Sequence, residues 1–395
     1  MSRLDRRRPP FHSGDVIRPI VLLCILSSSL SALAASERPN VLWITAEDLG
    51  PHLAFYGDTT ARTPNLDELA ARSLTFERAW SNAPVCAPAR TAILTGVHPP
   101  ALGALDMRTM VNLPEHLRPF PLLLREAGYY CTNRSKTDYN VAVGKGVWDA
   151  SSGKAHWRNR PEGAPFFAVV NLTITHEGQV RNKERALTID LEKVPLPDYF
   201  PDLPEVREDV ARYYSRIVDL DRQVGEVLAD LEEDGLTENT IIVFYGDHGP
   251  GLPRSKREPY DSGLRVPMTI HVPERFADLA PRGYEEGTRG GDLVSFVDLA
   301  PTMLSLAGIE PPEHLHGRAF AGHHPGKSPS FLFGYRDRMD ERLDLSRVIC
   351  DGRWLYRRNF MPDRSYGQHV DYQFGTPTTQ VWFDRFMHGL SLIHI

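Results

Sequence analysis

The 395-residue chain has only four cysteines, too few for a disulfide scaffold or a repeated zinc-finger array. Lys and Arg number 45 against 51 Asp and Glu, a formal charge of −6. Without a basic excess there is no electrostatic footprint for a dedicated nucleic-acid binder. No apolar run reaches the ~20 residues that a membrane-spanning helix needs. Internal repeats and long low-complexity stretches are also missing. The chain is nonetheless 41% hydrophobic, which excludes wholesale disorder. What remains is an α/β-sized enzyme or a large binding domain.

Residues 1–34 read as an export signal. Arg3, Arg6, Arg7, Arg8 and Arg18 form a basic stretch, residues 20–26 a short apolar core, and Ala32-Leu33-Ala34 an A-x-A cleavage pattern. Cys24 is expected to leave with the signal. Its removal takes away five Arg and two Asp and moves the formal charge from −6 to −9. The expectation is an acidic, exported protein, periplasmic or extracellular, with no stable membrane span.

Apolar runs at 40–45, 165–172 and 240–245 have strand length. Thr63-Pro64 reads as a cap and first-turn proline opening a helix to about Arg72. Val206, Val210, Tyr213, Ile217, Leu220, Val224, Val227 and Leu231 recur every three or four positions, predicting a helix over 204–233 closed at Gly235. Continuous apolar strands alternating with helices predict an α/β fold, a large, mostly parallel, mixed sheet sandwiched by helices. Beyond about residue 315 the chain turns rich in Arg, His, Gly and Pro, with short alternating segments at 346–350 and 353–357. The expected division is therefore 1–34 signal, 35–315 catalytic α/β domain, and 316–395 a smaller antiparallel C-terminal subdomain. Ligands of such sheets bind beyond the strands' carboxyl ends. Glu47-Asp48, His176 and Asp247-His248 each follow a predicted strand, pointing to one shared polar site.

Cys86 stands before a proline suited to a helix start, where free backbone N–H groups favour an anion. Arg90 lies one turn on. A buried structural cysteine at a helix start would have the same spacing, and spacing alone leaves both readings open. Lys256, within Arg254-Ser-Lys-Arg257, also reads as part of a solvated loop, and His176 as a strand-end cap.

Cys86-Ala-Pro-Ala-Arg90 with Thr91-Ala-Ile-Leu-Thr-Gly96 resembles the signature of the type I sulfatases, formylglycine-dependent members of the alkaline-phosphatase-like superfamily. The segment 38–48 resembles that family's opening strand and acidic metal pair, 246–249 its second metal pair, and 256–267 its block with a sulfate-binding lysine. The resemblance implies that Cys86 is oxidised by a formylglycine-generating enzyme. It implies a divalent ion, Ca²⁺ before Mg²⁺ for a carboxylate-rich set, on Glu47, Asp48, Asp247 and His248 with position 86. Arg90, Lys136 and Lys256 would add positive charge, and His176 would serve as general acid or substrate contact. The implied reaction is hydrolysis of sulfate esters or N-sulfo groups on a sulfated carbohydrate, with features of the sulfamidase-like (heparan N-sulfatase-like) branch.

Two positions depart from the family pattern. Glu47 stands where the first metal residue is commonly Asp, and Asp138 where a histidine usually follows the lysine. The chain also lacks the family's usual closing segment, so the C-terminal subdomain is expected to be incomplete. A phosphodiesterase or phosphonate hydrolase of the same superfamily would be favoured by a second His/Asp cluster for two zinc ions, which the sequence does not show. An unconverted Cys86 would leave a non-catalytic anion-binding protein. Export permits a Cys131–Cys350 disulfide, and the glycosylation sequon at Asn171 falls in a predicted core strand.

Overall fold

A computed structural model describes residues 38–365 and 367–390. The export signal expected at 1–34 lies outside the described residues. The strands of the large sheet are β1 (Asn40–Ala46), β2 (Leu74–Trp80), β3 (Tyr130–Arg134), β4 (Ala150–Ser151), β5 (Phe166–Leu172), β6 (Thr240–Gly246), β7 (Arg265–Val266), β8 (Met268–His271) and β9 (Arg289–Ser295). Their order is β4-β3-β5-β1-β6-β8-β2-β7, with β9 also paired to β2. The three apolar runs read from the sequence are its centre: β1 runs parallel to β5 on one side and to β6 on the other. Every residue of all three is buried, as expected of a sheet covered on both faces. β8 joins β6 antiparallel and makes the sheet mixed.

The helices are α1 (Pro64–Ala71), α2 (Cys86–Thr95), α3 (Phe120–Glu126), α4 (Glu177–Val180), α5 (Pro204–Glu233), α6 (Asp261–Leu264), α7 (Leu299–Leu306), α8 (Asp371–Phe374) and α9 (Pro377–Met387). Alternation along the central strands divides the core in two. Val41, Trp43, Phe167 and Val243 face α2, α3 and α7. Leu42, Ile44, Phe166, Ile242 and Phe244 face α1 and α5. All eight apolar positions predicted for α5 are buried, and Gly235 follows it with φ +67°, the left-handed turn that ends many helices.

Local capping departs from expectation in α1. Thr63 occupies the N-cap position but makes no side-chain cap hydrogen bond. Instead Asp221 of α5 accepts from the backbone N–H groups of Asn65 at 3.3 Å and Leu66 at 2.8 Å.

The C-terminal segments form a second sheet, β10 (Leu332–Arg336), β11 (Ser346–Cys350) and β12 (Leu355–Asn359), antiparallel throughout. Leu332, Val348 and Cys350 pack against Trp80, Leu264 and Leu293 of the main body. Cys131 is in β3 and Cys350 in β11, and both are free thiols. No described helix is long and apolar enough to cross a membrane.

Candidate active site

The register of the central strands brings the polar clusters together. Ala46 is aligned with Leu172 on one side and Gly246 on the other, so the three chains leave the sheet at one level. The exits are tied: Glu47 N–H donates to Leu172 O at 3.0 Å and Asp247 N–H to Ala46 O at 2.9 Å. Asp48 then turns sharply with φ +49° and donates its N–H to Asp247 Oδ1 at 2.9 Å. Described non-glycine residues with positive φ also include Ser135, Asp138, Arg254 and Arg257, each within two positions of Lys136 or Lys256. Backbone strain of this kind gathers where a site over-determines the chain.

Cys86 is the first residue of α2, which is buried along its whole length. Pro88 costs little there because first-turn N–H groups have no helical acceptor. Gly96, with φ +66°, closes the helix. Cys86 Sγ lies 3.2 Å from His248 Nε2. His248 Nδ1 bonds its neighbour's carbonyl, Gly249 O, at 2.9 Å. A carbonyl only accepts, so Nδ1 carries the proton and Nε2 presents a lone pair. Burial pushes the imidazole pKa down, against the pull of Asp247 and Asp48. Nε2, beside the Cys86 thiol, also faces Asp48 Oδ1 at 3.3 Å and Asp247 Oδ1 at 3.6 Å, a convergence of acceptors suited to a cation.

The ligand atoms of Asp48, Cys86 and His248 fall within 4.8 Å of one another, as do those of Glu47, Cys86 and Asp247. Glu47 Oε1 is buried, touches the charges of Lys136 and Arg90, and accepts no hydrogen bond. The chemistry of this donor set, three carboxylates and one imidazole, fits a hard divalent ion. Glu47, longer by one methylene than the usual aspartate, still reaches the cluster.

Four buried carboxylates, Glu47, Asp48, Glu177 and Asp247, stand among four cations, Arg90, Lys136, Lys256 and Arg257. Arg90 donates from Nη1 to Asn171 Oδ1 at 2.6 Å and from Nη2 to Asp247 Oδ2 at 3.1 Å, while its buried Nε makes no hydrogen bond. It orients Asp247 rather than facing an open cleft. Burial opposes ionisation of Asp247, but Arg90, Lys136 and the Asp48 N–H outweigh it and hold the carboxyl well below its usual range. Lys256 Nζ bonds both Asp48 oxygens, at 3.0 and 2.8 Å. Burial works against its charge, and Asp48 more than restores it. Burial lowers the Lys136 pKa despite Asp247 and Asp138. Asp138 lies 3.6 Å from Lys136, beside the cation where the family pattern has a histidine.

Burial pushes the Cys86 thiol pKa far up, with only partial relief from Lys256. An unmodified thiol here is neutral and a poor nucleophile, since the thiolate is the reactive form. His176 caps α4, its Nδ1 accepting from Gly178 N–H at 3.2 Å, and burial lowers its pKa.

Glu177, Arg257 and Asn171 escaped the sequence reading. Glu177 and Arg257 each adjoin a predicted site residue, the one signal that marked them. Asn171 was visible only as a sequon, yet it is buried and also donates to Asn133 Oδ1 at 2.9 Å. Gly251 is required by close approach: a Cβ there would stand 2.2 Å from Glu177 Cβ.

The family model described as Sulfatase matches residues 39–309. An ulvan-active sulfatase of Formosa agariphila is 38% identical, covering 90% of this chain and 66% of its own. The human N-sulphoglucosamine sulphohydrolase is 26% identical, covering 75% of this chain and 66% of its own. The chain thus spans just under two thirds of the length of both. A solved structure described as a complex with its substrate D-glucosamine-2-N,6-O-disulfate superposes with a TM-score of 0.64 at 18% identity, covering 89% of this chain and 96% of that one.

Proposed function

The chain belongs to the sulfatase family, and we propose that it hydrolyses sulfate esters of a sulfated carbohydrate. Similarity of 38% to an ulvan-active sulfatase, against 26% to an N-sulphoglucosamine sulphohydrolase, supports a sulfated polysaccharide of the ulvan type ahead of an N-sulphoglucosamine. The observation that carries the reading is Cys86 at the start of a buried helix, set against His248 and among Glu47, Asp48 and Asp247. The basic and apolar stretches of residues 1–34 support export.

Oxidised to formylglycine, position 86 would supply a hydrated aldehyde as the nucleophile toward sulfur; loss of sulfate would return the aldehyde, which water rehydrates. A divalent ion on Glu47, Asp48, Asp247 and His248, Ca²⁺ before Mg²⁺, would supply positive charge beside that group. The chain's own residues do the rest. Lys136 and Lys256 turn from their carboxylates to the sulfate oxygens, and so place charge where it develops in the transition state. Arg90 holds Asp247 in position through its bond to Asn171 as anchor. His176, with Nδ1 occupied by the Gly178 N–H, presents Nε2–H as a hydrogen-bond donor to the leaving oxygen.

The test is the mass of the Cys86 peptide after expression with a formylglycine-generating enzyme. Conversion makes it about 18 Da lighter, and the converted protein should release sulfate from ulvan-derived oligosaccharides while leaving phosphonate monoesters and phosphodiesters intact. A thiol that persists while a control sulfatase is converted would leave only an anion-binding protein.

A further inference from the structure

Tyr372, on α8, lies beyond the stretch matched by the family model and belongs to no motif above. Its ring centroid is 6.2 Å from that of His176, with the planes at 56°. His176 in turn offers a ring nitrogen within 4.8 Å of Asp48 and Glu177 carboxylate oxygens, which places Tyr372 at the rim of the site. Tyr372 is 45% exposed, yet it is held in place. The Arg181 guanidinium sits 4.2 Å from the ring centroid, and Arg181 Nη1 donates to Tyr372 O at 2.9 Å. The hydroxyl end lies over the first turn of α4, so that a Cβ at Gly178 would meet it at 3.1 Å. Arg257 approaches to 6.0 Å from the centroid.

A fixed, half-exposed aromatic ring beside the Arg181 guanidinium and the imidazole suited to the leaving oxygen matches the chemistry of one ligand class. The C–H face of a pyranose rests on an aromatic ring, and acidic substituents pair with arginine. We propose that Tyr372, clamped by Arg181, is the subsite platform for the sugar ring that carries the scissile sulfate, selecting acidic pyranosides. This rests on the carbohydrate sulfatase reading above.

The experiment compares wild type, Tyr372→Ala and Tyr372→Phe, all converted at Cys86, on ulvan-derived sulfated oligosaccharides, with inorganic sulfate as inhibitor. Loss of one stacking contact should raise KM about tenfold in Tyr372→Ala. The inhibition constant of sulfate should stay within about twofold, and Tyr372→Phe, which restores the ring, should recover the wild-type KM. A KM within about twofold of wild type in Tyr372→Ala overturns the proposal. So does a sulfate inhibition constant that rises in step with KM, because the ring would then only support the anion site. Calorimetry of the same oligosaccharides into the unconverted thiol forms separates this from failure of the chemistry. Weaker binding by Tyr372→Ala than by wild type supports the subsite even without turnover. Equal binding, or none by wild type, overturns it.

Discussion

Arg257 grips Glu177 with both ends of its guanidinium, Nη1 to Oε2 at 3.0 Å and Nη2 to Oε1 at 2.9 Å, and both side chains are almost wholly buried. Lys256 Nζ shares Oε1 at 3.0 Å and also holds Asp48. On its other side Arg257 Nε donates to Asp340 at 2.9 Å. Charges of alternating sign therefore run from the end of β1 to the segment between β10 and β11. Burial alone would raise the Glu177 pKa, but Lys256 and Arg257 together hold it far below the usual range.

Glu177→Gln should be strongly destabilising, because it leaves Arg257 and Lys256 buried with a neutral partner. Breaking such a pair from one side costs about 3 kcal/mol, readable as a shift in urea midpoint. A loss under about 1 kcal/mol, the range of exposed pairs, would show that the network contributes little.

Calcium should raise the unfolding midpoint of chelator-treated protein. At a hundredfold excess over its dissociation constant a ligand contributes about 2.7 kcal/mol. Mg²⁺ should do less, since it demands tighter octahedral geometry, and Asp247→Asn should abolish the response to both. A midpoint indifferent to either ion would remove the metal from the site.

Asp298, before α7, accepts backbone N–H groups from Ser295 at 2.9 Å and Arg318 at 2.8 Å. Burial nevertheless pushes its pKa up from 3.8 to about 6. The folded chain then holds this proton more tightly than the unfolded chain does. Stability should accordingly fall as pH rises from about 4 to about 6, by roughly 2 to 3 kcal/mol from this group. Asp298→Asn should flatten that slope in denaturant titrations across the window, and an unchanged slope would assign it to other groups.

Met339, between β10 and β11, is fully buried against Met107 and against Val85 and Ala87, the residues flanking Cys86. Met339→Ala should cost about 2 to 4 kcal/mol by thermal or chemical unfolding. It should also lower kcat on sulfated oligosaccharides by loosening the start of α2. Wild-type kcat with reduced stability would confine Met339 to packing.

Much of the site was legible because its signals are local. Each metal-competent pair directly follows an apolar run, and strand register does the rest once β1, β5 and β6 are neighbours. Cys86 with Pro88 marks a helix start by backbone sterics alone. What escaped were partners chosen across space. Asp221 caps α1 from 155 residues away, and no rule of local capping could have named it over Thr63. Glu177 and Arg257 are 80 residues apart, and each looked like an ordinary neighbour of a more conspicuous residue.

The residue order alone specifies the central strands, the buried stripe of α5 and the grouping of Glu47, Asp48, Asp247 and His248 beyond the strand ends. Those follow from apolar periodicity and from backbone preferences that act over a few residues. Tertiary packing is what gives Arg90 to Asp247 and Asn171, joins Lys256 to Arg257 through Glu177, and seats Tyr372 beside His176 and Met339 beside Val85 and Ala87. A buried charge takes whichever opposite charge the packed chain brings within a few ångströms, and an exposed ring gains meaning from what lies beside it. Neither distance is written in the order of the residues.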